Sequence, residues 1–419
     1  MSKDWLDWDA EYIWHPYTQM QLLPRAIGVA HAEGSYIYLE DGRKVFDGIS
    51  SWWVTLHGHA HPKIARAIAE QAARLEQVIF AGFTHEPAAI LAKKLVDRAP
   101  NGLKRIFFSD DGSTAVEVAL KMAIQYWKHQ KEDRRTFLAL EHAYHGDTFG
   151  AMSISARSSF TAAFDPLLFQ VRRLPFPGAG QENDFLDTLE SECAKSDIAG
   201  FIYEPLLLGA GGMKTWRPAI MQQAIEIARK HGILTIADEV LTGFGRTGTF
   251  WASDQASEKP DIMTVSKGIT GGFLPLGATL ATQQIYDAFL SDDRAKTFFH
   301  GHSYTGNPIA CAVAVASLEI FDTESVMERV ATIARVHAER LPALADSLGY
   351  VHRQLGTMAA LEPESAEGYL SDRSRTLAAR ALERGLLVRP LGDTVYLLPP
   401  YSTTEEDLHR AYDILAECF

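Results

Sequence analysis

The sequence predicts an α/β fold: a large domain with a mostly parallel central sheet, beside a small α+β domain built from both chain ends. Three observations carry this. The middle of the chain alternates short, continuous, β-rich apolar runs with helical patterns, as strands buried on both faces of a parallel sheet do. One intervening helix, PAIMQQAIEIARKHG, has Pro218 at its start and Gly232 past its end, the asymmetry of helix boundaries. The two ends of the chain read differently, with hairpin and short-strand signals.

In chain order, SYIYLEDGRKVFDG sets Asp41-Gly42 between two β-like runs, a hairpin signal. RIFFS (105–109) is a strand. A helix follows from about Ser113, with Val116, Ala119, Leu120 and Ala123 on one face. TFLALE (136–141), AGFIYEPL (199–206) and ILTIADEV (233–240) are buried strands, and the Pro218 helix lies between the last two. DIMTVSKG (261–268) and GATLAT (277–282) continue the sheet. Beyond about Ser317 come helices, then the short strands LLVRP and TVYLLPP. The expected division is 1–55 with 316–419 as the small domain, and 56–315 as the large one.

Composition narrows the class. At 419 residues the chain has enough length for two or three lobes around a large core. With 47% hydrophobic and 22% charged residues it is globular rather than disordered. Lys plus Arg is 40 against 53 Asp plus Glu, a net charge of −13. That is not the footprint of a nucleic-acid partner. Cys193, Cys311 and Cys418 are odd in number and widely spaced, which fits a reducing compartment rather than a disulfide framework. The N-terminal MSKDWLDWDAEYIW is broken by acids, and the richest apolar run, IAGFIYEPLLLGAGGM, carries Glu204 in its middle. The expectation is a soluble cytoplasmic protein without a membrane partner.

Three places carry chemistry. Ser109-Asp110-Asp111-Gly112-Ser113-Thr114 joins a strand to a helix, where free amides make an anion site, or simply a capped helix. Asp238 ends an apolar strand and would face the ligand crevice of such a sheet, or cap a turn. Lys267 ends another. A desolvated lysine there can form a Schiff base with a carbonyl, or can snorkel to the surface. Gly243 to Gly248, GFGRTG, matches a dinucleotide fingerprint, but TFWASDQASEKP after it makes no amphipathic helix. His57, His59 and His61 alternate without acid or thiol partners, so they read as polar loop histidines and no metal is expected. Taken together, a phosphate cradle, a strand-end acid and a strand-end lysine are the parts that hold pyridoxal 5′-phosphate.

At this point the chain resembles a known family. GFGRTG, the Lys267 strand and HGHSYTGNPIACA are similar to the class III (ω-type) aminotransferases of fold type I, nearly end to end. WHPYTQM, SSWWVTLHGHAHP, YHGDTFGAMS, EPLLLGAGGM and VRPLGDTVYLLPPY resemble the biotin-pathway branch. The resemblance implies a fold type I pyridoxal-phosphate transferase. It would move an amino group from S-adenosyl-L-methionine to 8-amino-7-oxononanoate, giving 7,8-diaminononanoate by a ping-pong route.

The resemblance also implies roles. Lys267 is the Schiff-base lysine, Asp238 the pyridinium partner, Gly112 and Ser113 the phosphate cradle, and Tyr144 the aromatic stacked on the ring. Gly301, His302 and Ser303 belong to a segment that completes the neighbouring subunit's phosphate site in a homodimer. Tyr17, Trp52 and Trp53 are substrate aromatics, Arg389 takes the substrate carboxylate, and Tyr396 and Arg246 lie beside the site. Read alone, Trp52 and Trp53 could be core, Arg389 a surface ion pair, and Asp147 a structural hydrogen-bonding partner. Leu208 stands where some relatives carry Gln, and Ser303 where many carry Thr. These departures leave lysine open as the donor, and the alternative is another ω-aminotransferase acting on ornithine, 4-aminobutyrate or a diamine.

Overall fold

The structure, a computed structural model, describes residues 4–23, 25–365 and 373–419. A seven-stranded sheet runs in the order Leu103–Ser109, Gly277–Thr282, Ile262–Val265, Leu234–Asp238, Ile198–Tyr203, Thr136–Leu140 and Arg172–Leu174. Gly277–Thr282 is antiparallel to both its neighbours, and the remaining pairs are parallel. Five central strands are buried along nearly their whole length, which is why their sequences read as unbroken apolar runs. The helices Gly112–His129 and Pro218–Lys230 fall where the 3.6-residue pattern puts them.

Two expectations shift at the strand ends. The run 199–206 leaves the sheet after Tyr203, so Glu204 turns into the crevice. The run 261–268 stops at Val265. Lys267 therefore sits beyond the strand, at the start of the 3-10 turn Lys267–Thr270, with φ 43°. A positive φ in a residue with a Cβ is uncommon and strained.

Tyr36–Leu39 and Lys44–Asp47 form the expected hairpin, with Gly42 at φ 86° in its turn. Leu386–Leu387 then pairs parallel to Lys44–Asp47, in the register Leu386 to Phe46 and Leu387 to Asp47. Early and late parts of the chain thus share a sheet. LLVRP contributes only those two residues, and TVYLLPP only Val395–Leu397. Pro390, Pro399 and Pro400 offer no ladder N–H beyond them. Val395–Leu397 pairs instead with Met358–Pro363, whose hairpin partner is Tyr350–Leu355. That hairpin is absent from the sequence reading because YVHRQL, half-exposed and carrying His352 and Arg353, lacks an apolar run. Among the described residues no helix is long and apolar enough to cross a membrane.

His337 is fully buried on the helix Val326–Leu348. It bonds Tyr412 Oη through Nδ1 at 2.7 Å and Thr357 O through Nε2 at 3.1 Å. Burial lowers its pKa to about 4. The unfolded chain binds this proton near pH 6.5 and the folded chain only near pH 4, so stability falls as pH drops below 6.5. At pH 5 the loss from this one residue is about 2 kcal/mol. Thermal melts of His337→Gln should therefore show a smaller fall between pH 7 and pH 5 than wild type. An unchanged pH slope would remove His337 as the cause.

Candidate active site

A cavity of about 610 Å³ opens where the carboxyl ends of the parallel strands meet. Its walls include Gly112, Ser113, Tyr144, Asp238 and Lys267. Three of its parts come from distinct local devices.

The first is a helix start. Asp111 caps Gly112–His129, its carboxylate accepting from the Thr114 amide at 2.8 Å while Thr114 Oγ1 accepts from the Asp111 amide at 3.1 Å. This capping box satisfies the third amide of the helix and leaves those of Gly112 and Ser113 beside the cavity. Gly112 has no room for a side chain, because a Cβ would lie 2.6 Å from Val240 Cγ1. Ser113 Oγ bonds Thr148 Oγ1 at 2.8 Å and accepts from the Thr148 amide at 3.0 Å. Glu117 holds that loop in turn, accepting from Thr148 Oγ1 and from the Gly150 and Ala151 amides.

The second is a buried acid. Asp238 is 4% exposed. Its Oδ2 lies 2.7 Å from His145 Nδ1, and its Oδ1 accepts from the Val240 amide and Thr264 Oγ1. His145 Nε2 is buried with no hydrogen-bond partner among the described residues. Glu204 closes this floor, accepting from the Tyr144 amide at 3.0 Å and the Gly209 amide at 2.9 Å. Burial raises its pKa to about 7, with His145 opposing and Asp238 adding to the rise.

The third is Lys267, partly exposed and lining the cavity. Desolvation lowers its pKa, against the pull of Asp238, Glu204 and Asp111. Its Nζ lies 5.2 Å from the centroid of the Trp53 ring. An amine, a carboxylate and helix-start amides on one cavity are a set that an aromatic aldehyde bearing a phosphate would satisfy.

Aromatic groups form the rim. Tyr17 Oη lies 3.2 Å from Tyr144 Oη and donates to Asp147, so Asp147 holds the rim together as a hydrogen-bonding partner. Burial, then the Tyr17 contact, pushes the Tyr144 phenol pKa up. Trp52 packs edge-on to Tyr17 at 5.6 Å, and the Arg389 guanidinium sits 4.8 Å above the Trp52 ring. Trp52 is exposed rather than core. Arg389 is exposed and has no carboxylate partner among the described residues. Trp53 is buried and donates through Nε1 to Tyr396 Oη at 2.8 Å, which places Tyr396 behind the wall and outside the cavity lining.

Other predicted positions lie away from the cavity. Arg246 is 1% exposed and donates to Pro399 O at 2.9 Å and Trp53 O at 3.3 Å. It supports the Trp53 backbone without reaching the cavity. The GFGRTG segment is a run of turns followed only by the short 3-10 helix Ala252–Gln255. Gly301, His302 and Ser303 do not line this cavity. His302 Nε2 stands 3.6 Å from Asp110 Oδ1, and Ser303 O accepts from Gln77 Nε2 at 2.6 Å. His57, His59 and His61 face Ser317, Asp47 and Glu324 respectively. His57 is core rather than loop surface, and no metal-binding group occurs among the described residues.

His145, Thr148, Glu117 and Glu204 were not picked out as site residues in the sequence, though three of them lie in or beside quoted motifs. For His145, Thr148 and Glu204 the signal was position, and Glu117, inside the helix Gly112–His129, had none. HGDT follows the strand Thr136–Leu140 and EPLL follows Ile198–Tyr203, both at carboxyl ends facing the crevice.

The comparison with known families decides between the uses of such a cavity. Residues 18–419 match the family described as Aminotransferase class-III. The chain belongs to the class III aminotransferases. This aminotransferase is 47% identical over 417 residues to the adenosylmethionine-8-amino-7-oxononanoate aminotransferase of Synechococcus elongatus, covering 97% of this chain and 98% of that one. It is 40% identical to the protein of the same name from Geobacter sulfurreducens, covering 97% and 95%. Among solved structures, the Methanocaldococcus jannaschii protein of that name superposes with a TM-score of 0.94 at 35% identity, covering 99% and 98%. A PLP-bound amine transaminase from an uncultivated Pseudomonas species gives 0.93 at 32%, covering 97% and 98%. The class III aminotransferase fold is thus the fold type I transferase expected from the sequence.

Proposed function

We propose that this aminotransferase of biotin biosynthesis moves the amino group of S-adenosyl-L-methionine to 8-amino-7-oxononanoate, with pyridoxal 5′-phosphate as cofactor. The observation that carries this reading is the name shared by relatives that match almost the whole chain. The site's chemistry supports it. When bound, the cofactor supplies an electron sink for the carbon that bears the transferred amine. The Gly112 and Ser113 amides would hold its phosphate at the positive end of their helix. Asp238 would pair with its ring nitrogen, with His145 steadying that carboxylate. Lys267, whose pKa desolvation lowers, would anchor the aldehyde and carry the proton at the reacting carbon. Tyr144 and Trp53 wall the ring and exclude water.

The acceptor is an apolar chain with a ketone beside an amine at one end and a carboxylate at the other. Tyr17 and Trp52 line its path, and Arg389 takes the carboxylate with a two-pronged fork. The chain works as a homodimer in which the Gly301–Ser303 segment of each subunit completes the other's phosphate site.

A donor screen with 8-amino-7-oxononanoate as acceptor tests the reading by mass detection of 7,8-diaminononanoate. S-adenosyl-L-methionine should support the product. Product with lysine alone would replace the donor. No product from any donor, with turnover of ornithine or 4-aminobutyrate, would overturn the acceptor. Arg389→Ala should raise the KM for 8-amino-7-oxononanoate about ten- to a hundredfold. Single-turnover kinetics of each half-reaction would locate the loss in the second half. A change under about threefold in both halves is what a solvent-exposed ion pair gives, and would move the carboxylate anchor elsewhere.

A further inference from the structure

The segment that carries both rim tryptophans is strained. Ser50, Ser51 and Trp53 have φ of 52°, 61° and 69°, in the left-handed region that costs a residue with a side chain of order 1 kcal/mol or more. Such a turn persists only where its surroundings over-determine it. Here the determinant is one carboxylate. Asp47 is fully buried. Its Oδ2 accepts from the Ser51 amide at 2.6 Å, from Ser51 Oγ at 3.0 Å, and bonds His59 Nε2 at 2.9 Å. Its Oδ1 accepts from the Ile49 amide at 3.3 Å. Ser50 Oγ adds a bond to Leu398 O at 2.7 Å, and Arg246 holds the Trp53 carbonyl.

The register supplies the second half of the argument. Asp47 is paired with Leu387 on the neighbouring parallel strand. Both chains leave this strand end together. One carries Trp52 and the other Arg389, and these two side chains then stack. The same turn places Trp53 over Lys267 and against Tyr396. An error of an ångström in the turn would part Trp52 from Arg389 at the far end of the acceptor's path.

We infer that Asp47 is a positioning residue for the acceptor: its carboxylate, seated by His59, holds the Ser50–Trp53 turn so that Trp52 meets Arg389, while Trp53 is held separately through Tyr396 and Arg246. The inference rests on the acceptor reading above. It concerns where the long acceptor is held and leaves the proton transfer at Lys267 untouched.

The test uses the holoenzyme. Asp47→Asn keeps the shape but sets an amide N–H₂ against the backbone amide of either Ser51 or Ile49, which can only donate. Ser51→Ala removes one bond to the same carboxylate and leaves the backbone alone, so it serves if the first variant folds poorly. The expected result is a split: KM for 8-amino-7-oxononanoate rises about tenfold in Asp47→Asn and less in Ser51→Ala, with kcat and the donor half-reaction within about threefold of wild type. A merely structural role would lower the melting temperature and the amount of active enzyme, without moving KM. An unchanged KM in both variants, or an equal loss in both half-reactions, overturns the assignment. Failure of the acceptor reading itself shows earlier, as wild-type protein that does not turn over 8-amino-7-oxononanoate, and takes this inference with it.

Discussion

Lys267→Ala is expected to lower turnover about a thousandfold or more, through loss of the covalent anchor and of the proton carrier together. The fold should survive. Lys267 has no ion-pair partner among the described residues, and its ammonium is disfavoured by burial, so its removal relieves a cost rather than creating one. The variant should still bind pyridoxal phosphate through the helix-start amides, but borohydride should no longer fix the cofactor to the chain. Intact mass after reduction reads this directly. A small amine added to the assay should restore part of the proton transfer. Substantial steady-state activity without added amine would remove Lys267 from its role.

Asp238→Asn should slow both half-reactions about a hundredfold or more and weaken cofactor binding. The amide can still accept from His145 through its oxygen, but its N–H₂ then stands where Oδ1 accepts from the Val240 amide, and the neutral group no longer offers a charge to a protonated ring nitrogen. The loss of charge has a second consequence. Asp238 is the leading group that opposes the fall in the Lys267 pKa. Without it that pKa falls further, so the acidic limb of the activity profile should move to lower pH. Wild-type rates of proton abstraction in this variant would show that the ring nitrogen is held by another group.

The sequence made the sheet legible because its strands are buried on both faces. Apolar runs such as ILTIADEV and GATLAT mark their own length, and the strand-end acid Asp238 is visible at the edge of one of them. Lys267 was legible by type but not by conformation, since nothing in DIMTVSKG marks the stop after Val265 or the positive φ that follows. The Tyr350–Pro363 hairpin was hidden because its first strand, YVHRQL, is half-exposed and carries no apolar run or clean alternation. Glu204 and His145 were hidden for another reason. Each is a polar residue whose importance lies in what touches it, Tyr144 and Asp238, and such contacts have no spacing in the sequence. The substrate aromatics came from resemblance rather than from spacing, and Trp52 beside Arg389 could not have been read from positions 337 residues apart (389 − 52).

The pairing of Lys44–Asp47 with Leu386–Leu387 also bears on biosynthesis. Every strand of the seven-stranded sheet has been translated once the ribosome passes Thr282. The strand end beneath the tryptophan turn waits for its partner until residue 387 has emerged. A nascent chain would therefore expose Trp53, buried in the finished fold, while residues 283–387 are made and the central layer can already be folded. Long-range closures of this kind are slow and prone to aggregation before they form. Yield in a cell should then respond more to elongation rate and chaperone supply over that final stretch than to substitutions that stabilise the finished sheet.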